Sequence, residues 1–214
     1  MGKMDYKKVY KDLYMPKTKP AVIEVPEMTF IMVDGKGNPN TSQEYKEAME
    51  VLYGLSWSIK MSKMSGMKPE GYFEYVMPPL EGLWWTQGEP FDGIHVKDKD
   101  KFLWTAMIRQ PEFVTQEVFE QAKETFAKKK PNVDTSKARL VFWAEGLCMQ
   151  VMHLGSYDDE PVTIQKLEAF VSESGYVCDI SDDRQHHEIY LNNPDKTAPE
   201  HLKTVIRHPI RKKK

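Results

Sequence analysis

Cysteine is almost absent: Cys148 and Cys178 are the only two in 214 residues. They sit on what read as separate strands, without metal-type spacing or a framework of pairs, so a reduced, cytoplasmic setting is expected. Long apolar runs are missing as well. No stretch approaches the ~18 apolar residues that a membrane-spanning helix requires. The opening MGKMDYKKVYKDLYMPK is charged throughout and lacks the apolar core of a signal peptide. Charge of one sign is also lacking. The 30 basic and 32 acidic residues give a formal net charge of −2, so neither nucleic acid nor an anionic membrane is expected as a partner. There is no Gly-rich phosphate loop, no Gly-x-Ser-x-Gly elbow and no Cys/His pair in a recognisable context, which disfavours nucleotide use and covalent acyl transfer.

Aromatic residues are plentiful, with five Trp, ten Tyr and nine Phe beside 13 Met. Large flat side chains and adaptable thioethers suit both an ordinary core and a pocket for irregular apolar ligands. Residues 1–18 read as an arm packing on the body, because Tyr6, Val9, Tyr10, Leu13 and Tyr14 recur at helical spacing. Residues 19–210 read as one domain in two halves, about 19–110 and 111–210, and the basic ending 211–214 reads as a solvated tail. Within the halves, Ala21–Val33 is a strand run with Pro26 inside it, and a helix begins near Thr41 or Ser42 with Tyr45, Met49, Leu52, Tyr53 and Trp57 as its buried stripe. Strands are expected at Tyr72–Val76, Gly82–Gln87 and Phe102–Arg109, followed by a helix at Gln116–Lys130. A long strand at Ala138–Leu154, bent at Glu145-Gly146, precedes a helix near Val162–Ser174, a strand at Tyr176–Ile180 and a last strand at His187–Leu191.

An internal repeat orders these elements. Phe30-Ile31-Met32-Val33-Asp34-Gly35 aligns with Gln150-Val151-Met152-His153-Leu154-Gly155 at a constant offset of 120, and each segment leads into a turn, a helix and further strands. A strand-helix-strand-strand unit leaves an apolar sheet face it cannot cover alone, so two copies would pair about a pseudo-twofold axis and leave a cleft. The expected fold class is therefore α+β, with tandem modules and a central ligand cleft.

In His186-His187-Glu188-Ile189-Tyr190-Leu191, alternation puts His186, Glu188 and Tyr190 on one sheet face and Ile189 and Leu191 on the core side. A glutamate in such an aromatic cleft would have its pKa raised by desolvation, and it could act as general base, general acid or counter-charge to a cationic ligand. The bland alternative is a solvated carboxylate on an edge strand. Neighbouring strand histidines point to opposite faces, and no His/Glu pair has the helical spacing of a zinc hydrolase, so no metal is expected. Trp84, Trp85, Trp104 and Trp143 are candidate pocket walls, although each one taken singly reads more readily as core than as pocket. Tyr75 and Tyr157 could donate to a ligand carbonyl, and Tyr72, Tyr190 and His186 could line its site.

Three segments carry a resemblance: Pro78-Pro79-Leu80-Glu81-Gly82-Leu83-Trp84-Trp85, His186-His187-Glu188-Ile189-Tyr190-Leu191-Asn192-Asn193-Pro194, and Lys196-Thr197-Ala198-Pro199-Glu200-His201-Leu202-Lys203-Thr204. In these, over nearly its whole length, the chain resembles the GyrI-like small-molecule-binding family, which is related to the effector-binding domains of multidrug-responsive transcription activators. The resemblance implies the tandem fold, a stand-alone member, and Glu188 as the carboxylate that meets ligand. Some stand-alone members look like hydrolases that open the strained cyclopropane of DNA-alkylating natural products. That implies a detoxification role in which Glu188 deprotonates or orients water, a tyrosine among Tyr75, Tyr157 and Tyr190 bonds the dienone oxygen, and tryptophans sandwich the rings. No cofactor is needed for this chemistry. The expected partner is a small planar aromatic ligand, with the protein a monomer or weak dimer. The alternatives are a sequestering module without turnover and, from the family name, an inhibitor of a DNA enzyme such as gyrase.

Overall fold

The computed structural model describes residues 2–66, 68–86, 91, 93–94 and 98–213. Two one-turn helices, α1 (Tyr6–Val9) and α2 (Lys11–Tyr14), form the arm. They bury Tyr6, Leu13 and Tyr14 while Val9 stays exposed. β1 (Ala21–Lys36) runs into α3 (Gln43–Lys60), then β2 (Leu80–Thr86) and β3 (Phe102–Arg109). After α4 (Gln116–Lys129), the same order recurs as β4 (Arg139–Leu154), α5 (Glu160–Glu173), a short β5 (Tyr176–Cys178), β6 (His186–Tyr190) and β7 (Lys203–Lys212). Every strand pairing is antiparallel, in the order β4-β1-β3-β2-β6-β7-β5, and a further β4–β7 pairing joins the ends of the run. The two halves are thus strand-helix-strand-strand modules with matching strand order, and the sheet they share is a ring.

Local chemistry accounts for the main features. Ser42 caps α3 by accepting the Tyr45 N–H at 3.3 Å, and Thr115 caps α4 by accepting the Val118 N–H at 3.3 Å. In the β1–β4 ladder Pro26, which lacks an N–H, stands opposite Glu145, and Gly146 next to it takes a φ of 75° that L side chains rarely adopt. The bend expected at Glu145-Gly146 is there, while β1 continues through Gly35 to Lys36, beyond its expected end.

Several expectations need correction. The buried side of α3 is Ala48, Val51, Leu52, Leu55 and Ile59, whereas Tyr53 and Trp57 face solvent, 39% and 48% exposed. The helix lies between the sheet and α4, so its covered surface is rotated from the one the aromatics suggested. Tyr72–Val76 is not a strand. Only Tyr75 forms an isolated bridge, to Met4 of the arm, and the prolines that follow offer no N–H for a ladder. A final strand was overlooked: Lys203–Lys212 is β7, and Arg211 and Lys212 belong to it, paired with β5, instead of fraying as a tail. Gln87, Lys214 and part of the polar stretch 89–101 lie outside the described residues. No helix among the described residues is long and apolar enough to cross a membrane.

Close packing of α3 on α4 depends on Gly54. A Cβ there would lie 2.3 Å from the Phe126 ring. Alanine favours helix by about 1 kcal/mol over glycine, yet Gly54→Ala is expected to destabilise the fold by about 1–3 kcal/mol through this overlap. Urea denaturation reads the sign directly, and a stabilised variant would mean that the helices separate at little cost.

Candidate functional site

β6 lies between β2 and β7, with Gly82 opposite Glu188, Trp84 opposite His186 and Leu80 opposite Tyr190. Alternation therefore gathers Trp84, His186, Glu188 and Tyr190 on one face. Tyr45 of α3 reaches this face, its ring 6.1 Å from that of Trp84 and 5.0 Å from that of Trp104. Glu160, the first residue of α5, reaches it from the other half. Gly82 matters to the arrangement, because a Cβ there would come within 2.7 Å of the Trp84 indole nitrogen. Without that Cβ the indole folds over the strand, and its Nε1 donates to the Tyr190 hydroxyl at 2.9 Å.

Tyr190 in turn donates to Glu188 Oε2 at 2.5 Å, and His186 Nε2 stands 2.8 Å from Glu188 Oε1. The carboxylate is 14% exposed. Burial works to raise its pKa, but hydrogen bonds from His186, Tyr190 and Glu160 outweigh it and hold Glu188 below the usual 4.5. This corrects the expectation of a raised value at Glu188. The raised carboxyl is its neighbour: burial, and then the Glu188 charge, push Glu160 well above the usual range. When the two carboxyls share a proton, these opposite shifts favour it on Glu160 and the charge on Glu188. Burial and then the Glu160 and Glu188 charges push Tyr157 up to about 12. Burial first, then Glu188, also raises Tyr45 and Tyr190, so all three phenols keep their protons.

Other candidates are distributed more widely than the sequence suggested. Tyr157 is at the site, its ring 5.7 Å from that of Tyr190 and its side chain partly exposed. Trp104 is fully buried beneath Tyr45 and against Gly35. Tyr75 is fully buried among Lys60, Phe73 and Phe113, while Tyr72 donates to the Lys60 carbonyl at 2.8 Å and packs on Phe113. No described contact joins either tyrosine to Glu188. Trp85 and Trp143 belong to the opposite face of the sheet. There, with Met32, Leu83, Leu103 and Val141, they line a recess of about 600 Å³, rimmed by Asp34, Arg139 and Glu44. The sheet separates this recess from Glu188.

Behind Glu188, inside the ring, lies a charge cluster that sequence reading did not find. His187 is fully buried with Nδ1 3.0 Å from Glu145 Oε2 and Nε2 3.1 Å from Glu81 Oε2. Arg207, 1% exposed, donates to Glu145 Oε2 at 2.8 Å, to Gln150 Oε1 at 3.0 Å and to the Leu13 carbonyl at 3.0 Å. Glu160 was also missed, since an acid in a helix's first turn ordinarily reads as a dipole partner.

Tyr190→Phe is expected to remove one donor from Glu188 and raise its pKa. Carboxyl ¹³C titration checks this, and an unchanged midpoint would mean that Tyr190 does not set the charge.

An antiparallel ring made of two strand-helix-strand-strand modules, with a buried carboxylate beneath aromatic rings, defines an α+β protein of the small-molecule-binding class. The GyrI-like small molecule binding domain family matches residues 18–211, and the chain belongs to it. An uncharacterized conserved protein from Listeria innocua is 48% identical, with a TM-score of 0.92 over 98% of this chain and 100% of that one. A hydrolase encoded by lin2189 from Listeria innocua is 47% identical with a TM-score of 0.90, again over 98% of this chain and 100% of that one. The EcmrR C-terminal domain, 13% identical, has a TM-score of 0.52 over 91% of this chain and 98% of that one, and shares the fold. No curated protein matches significantly.

Proposed function

We propose that the protein is a cofactor-independent hydrolase that opens the strained ring of planar, electrophilic aromatic compounds of the cyclopropanoid type by adding water. The observation that carries this reading is Glu188, whose oxygens are oriented by His186 and Tyr190 at the foot of an aromatic face. In this scheme water forms a bond to the cyclopropyl carbon while Glu188 takes its proton. The strained carbon–carbon bond breaks, and its electron pair moves into the dienone, which becomes a phenolate. Tyr157, at the open side of the site, donates to that oxygen as charge develops. Trp84 and Tyr45 pack on the flat rings. Ring strain supplies much of the driving force, so a positioned base and one donor suffice. The name hydrolase borne by two Listeria innocua structures, 45% and 47% identical to this chain, agrees with this reading.

A second reading, a sequestering module without turnover, draws on the same carboxylate. An ionised, buried Glu188 among Trp84, Tyr45 and Tyr190 is also suitable counter-charge for a cationic aromatic ligand. Incubating the protein with a molar excess of a cyclopropanoid alkylator, followed by mass spectrometry, separates the two. More than one equivalent of water adduct per protein supports the hydrolase, whereas saturable binding with ligand recovered unchanged supports sequestration.

A further inference from the structure

His208 lies in β7, outside every motif described above, 1% exposed. Its Nε2 is 2.7 Å from Nδ1 of His186, which is itself fully buried, and the two rings meet edge to face with centroids 4.9 Å apart. The other nitrogen of His186 is the one 2.8 Å from Glu188 Oε1. Glu188 thus stands at one end of a carboxylate–imidazole–imidazole line that crosses from β6 to β7.

Hydrogen counting along this line leaves few arrangements. An ionised carboxylate only accepts, so His186 Nε2 carries a hydrogen. Between His186 Nδ1 and His208 Nε2 a single hydrogen is then shared. If it belonged to His186, that ring would be an imidazolium ion-paired with Glu188, and a carboxylate so paired is a weaker base. If it belongs to His208, His186 is neutral and orients Glu188 with a hydrogen bond alone. We propose that His208 is a positioning residue for Glu188: its Nε2–H donates to His186 Nδ1 and fixes His186 as the neutral Nε2–H tautomer. The consequence for catalysis rests on Glu188 acting as the base, as read above, while the tautomer itself rests on geometry.

The titratable groups that His186 meets directly are Glu188 of its own strand and His208 of β7; Tyr190, Glu160, Tyr157 and Tyr45 gather around Glu188 beyond it. Phe91 lies edge-on to the imidazole at 5.3 Å, and a Cβ at Gly93 would touch it at 2.9 Å. The two oxygens of Glu188 are already occupied by His186 and Tyr190.

NMR of the imidazole nitrogens tests the tautomer with no substrate present. Wild-type His186 is expected to show a protonated Nε2 and a bare Nδ1. His208→Phe removes the donor, so the Nε2–H tautomer is no longer enforced and a signal of protonated Nδ1 should appear. His208→Gln retains an N–H donor and should keep the wild-type pattern, and it also decides the matter should the Phe variant not fold. Wild-type His186 found doubly protonated, or protonated on Nδ1, overturns the proposal, as does a His208→Phe spectrum in which His186 keeps the wild-type pattern. In the turnover assay, the acid limb of the pH–rate profile of His208→Phe should move up by about one to two units with its plateau retained. A uniform loss at every pH would mark mere structural damage and overturn the positioning role. Lack of turnover by the wild type would remove the hydrolase reading alone, because the NMR arms still decide His208.

Discussion

Glu188→Gln is expected to lower the turnover of a cyclopropanoid substrate by about 10²–10⁴-fold, the usual worth of a positioned general base. Glutamine keeps the shape of the side chain. Its carbonyl oxygen can still accept from His186 and its amide can still pair with Tyr190, so the site should stay assembled. Binding of a neutral planar ligand should therefore change little, and the loss should appear in kcat. A cationic ligand behaves differently, since it loses the carboxylate charge and with it affinity. Calorimetry with one neutral and one cationic aromatic compound, run beside the turnover assay, distinguishes base from counter-charge. Because the Glu188 pKa is held below 4.5, the wild-type rate should stay level as pH falls toward that value and drop only beneath it. A variant that turns over like the wild type would remove Glu188 from the chemistry.

Arg207→Met is expected to cost about 3–5 kcal/mol of stability, because it leaves a buried carboxylate without its counter-charge. Arg207 and His187 together offset Glu145 and Glu81, all of them inside the ring. The pH dependence of stability should show two flanks. Burial raises the Glu145 pKa, but the charges of His187 and Arg207 outweigh this and lower it to about 2, so its contribution is present above 4.5 and lost as pH falls toward 2. Burial opposes the charge on His187, but Glu145 and Glu81 outweigh it and raise its pKa above 6.5. That contribution is complete below 6.5 and is lost as pH rises through the raised value. Stability should therefore be greatest between about 4.5 and 6.5. Urea melts across pH check both flanks, and His187→Gln should flatten the alkaline one. An Arg207→Met protein of unchanged stability would mean that the cluster is solvated or otherwise neutralised.

Much of the architecture was legible because it rests on local pattern. Alternation along His186–Tyr190 placed Glu188 and Tyr190 together, the hydroxyl of Ser42 marked the start of α3, and the offset between residues 31 and 151 exposed the paired modules. β7 was not legible. Lys203-Thr204-Val205-Ile206-Arg207-His208-Pro209-Ile210 carries an arginine, a histidine and a proline where a buried strand ordinarily has aliphatics. Their partners, Glu145, Gln150 and His186, are distant in sequence, so nothing local signals that these charges are satisfied. Trp84 and Trp85 are both candidate walls by sequence, yet adjacent strand residues face opposite ways, and of the two only Trp84 shares the face of Glu188. Glu160 and Tyr45 join the site because two helices converge on it, and helix-to-strand contact leaves no periodic trace.

The β4–β7 pairing has a consequence for self-association. Once the ring closes, β5 is the one strand among those described that is paired on a single side, and it is three residues long. The remaining ladder edges lie in the two-stranded extension of β1 and β4, where β4 pairs with β7 only from Cys148 onward and β1 pairs with β3 only from Phe30 onward, so strand addition to the folded protein is confined to that extension and to β5. Away from these edges an assembly of copies would use side chains, and the solvent-facing Tyr53 and Trp57 of α3 are the largest apolar groups an approaching copy would meet on that helix.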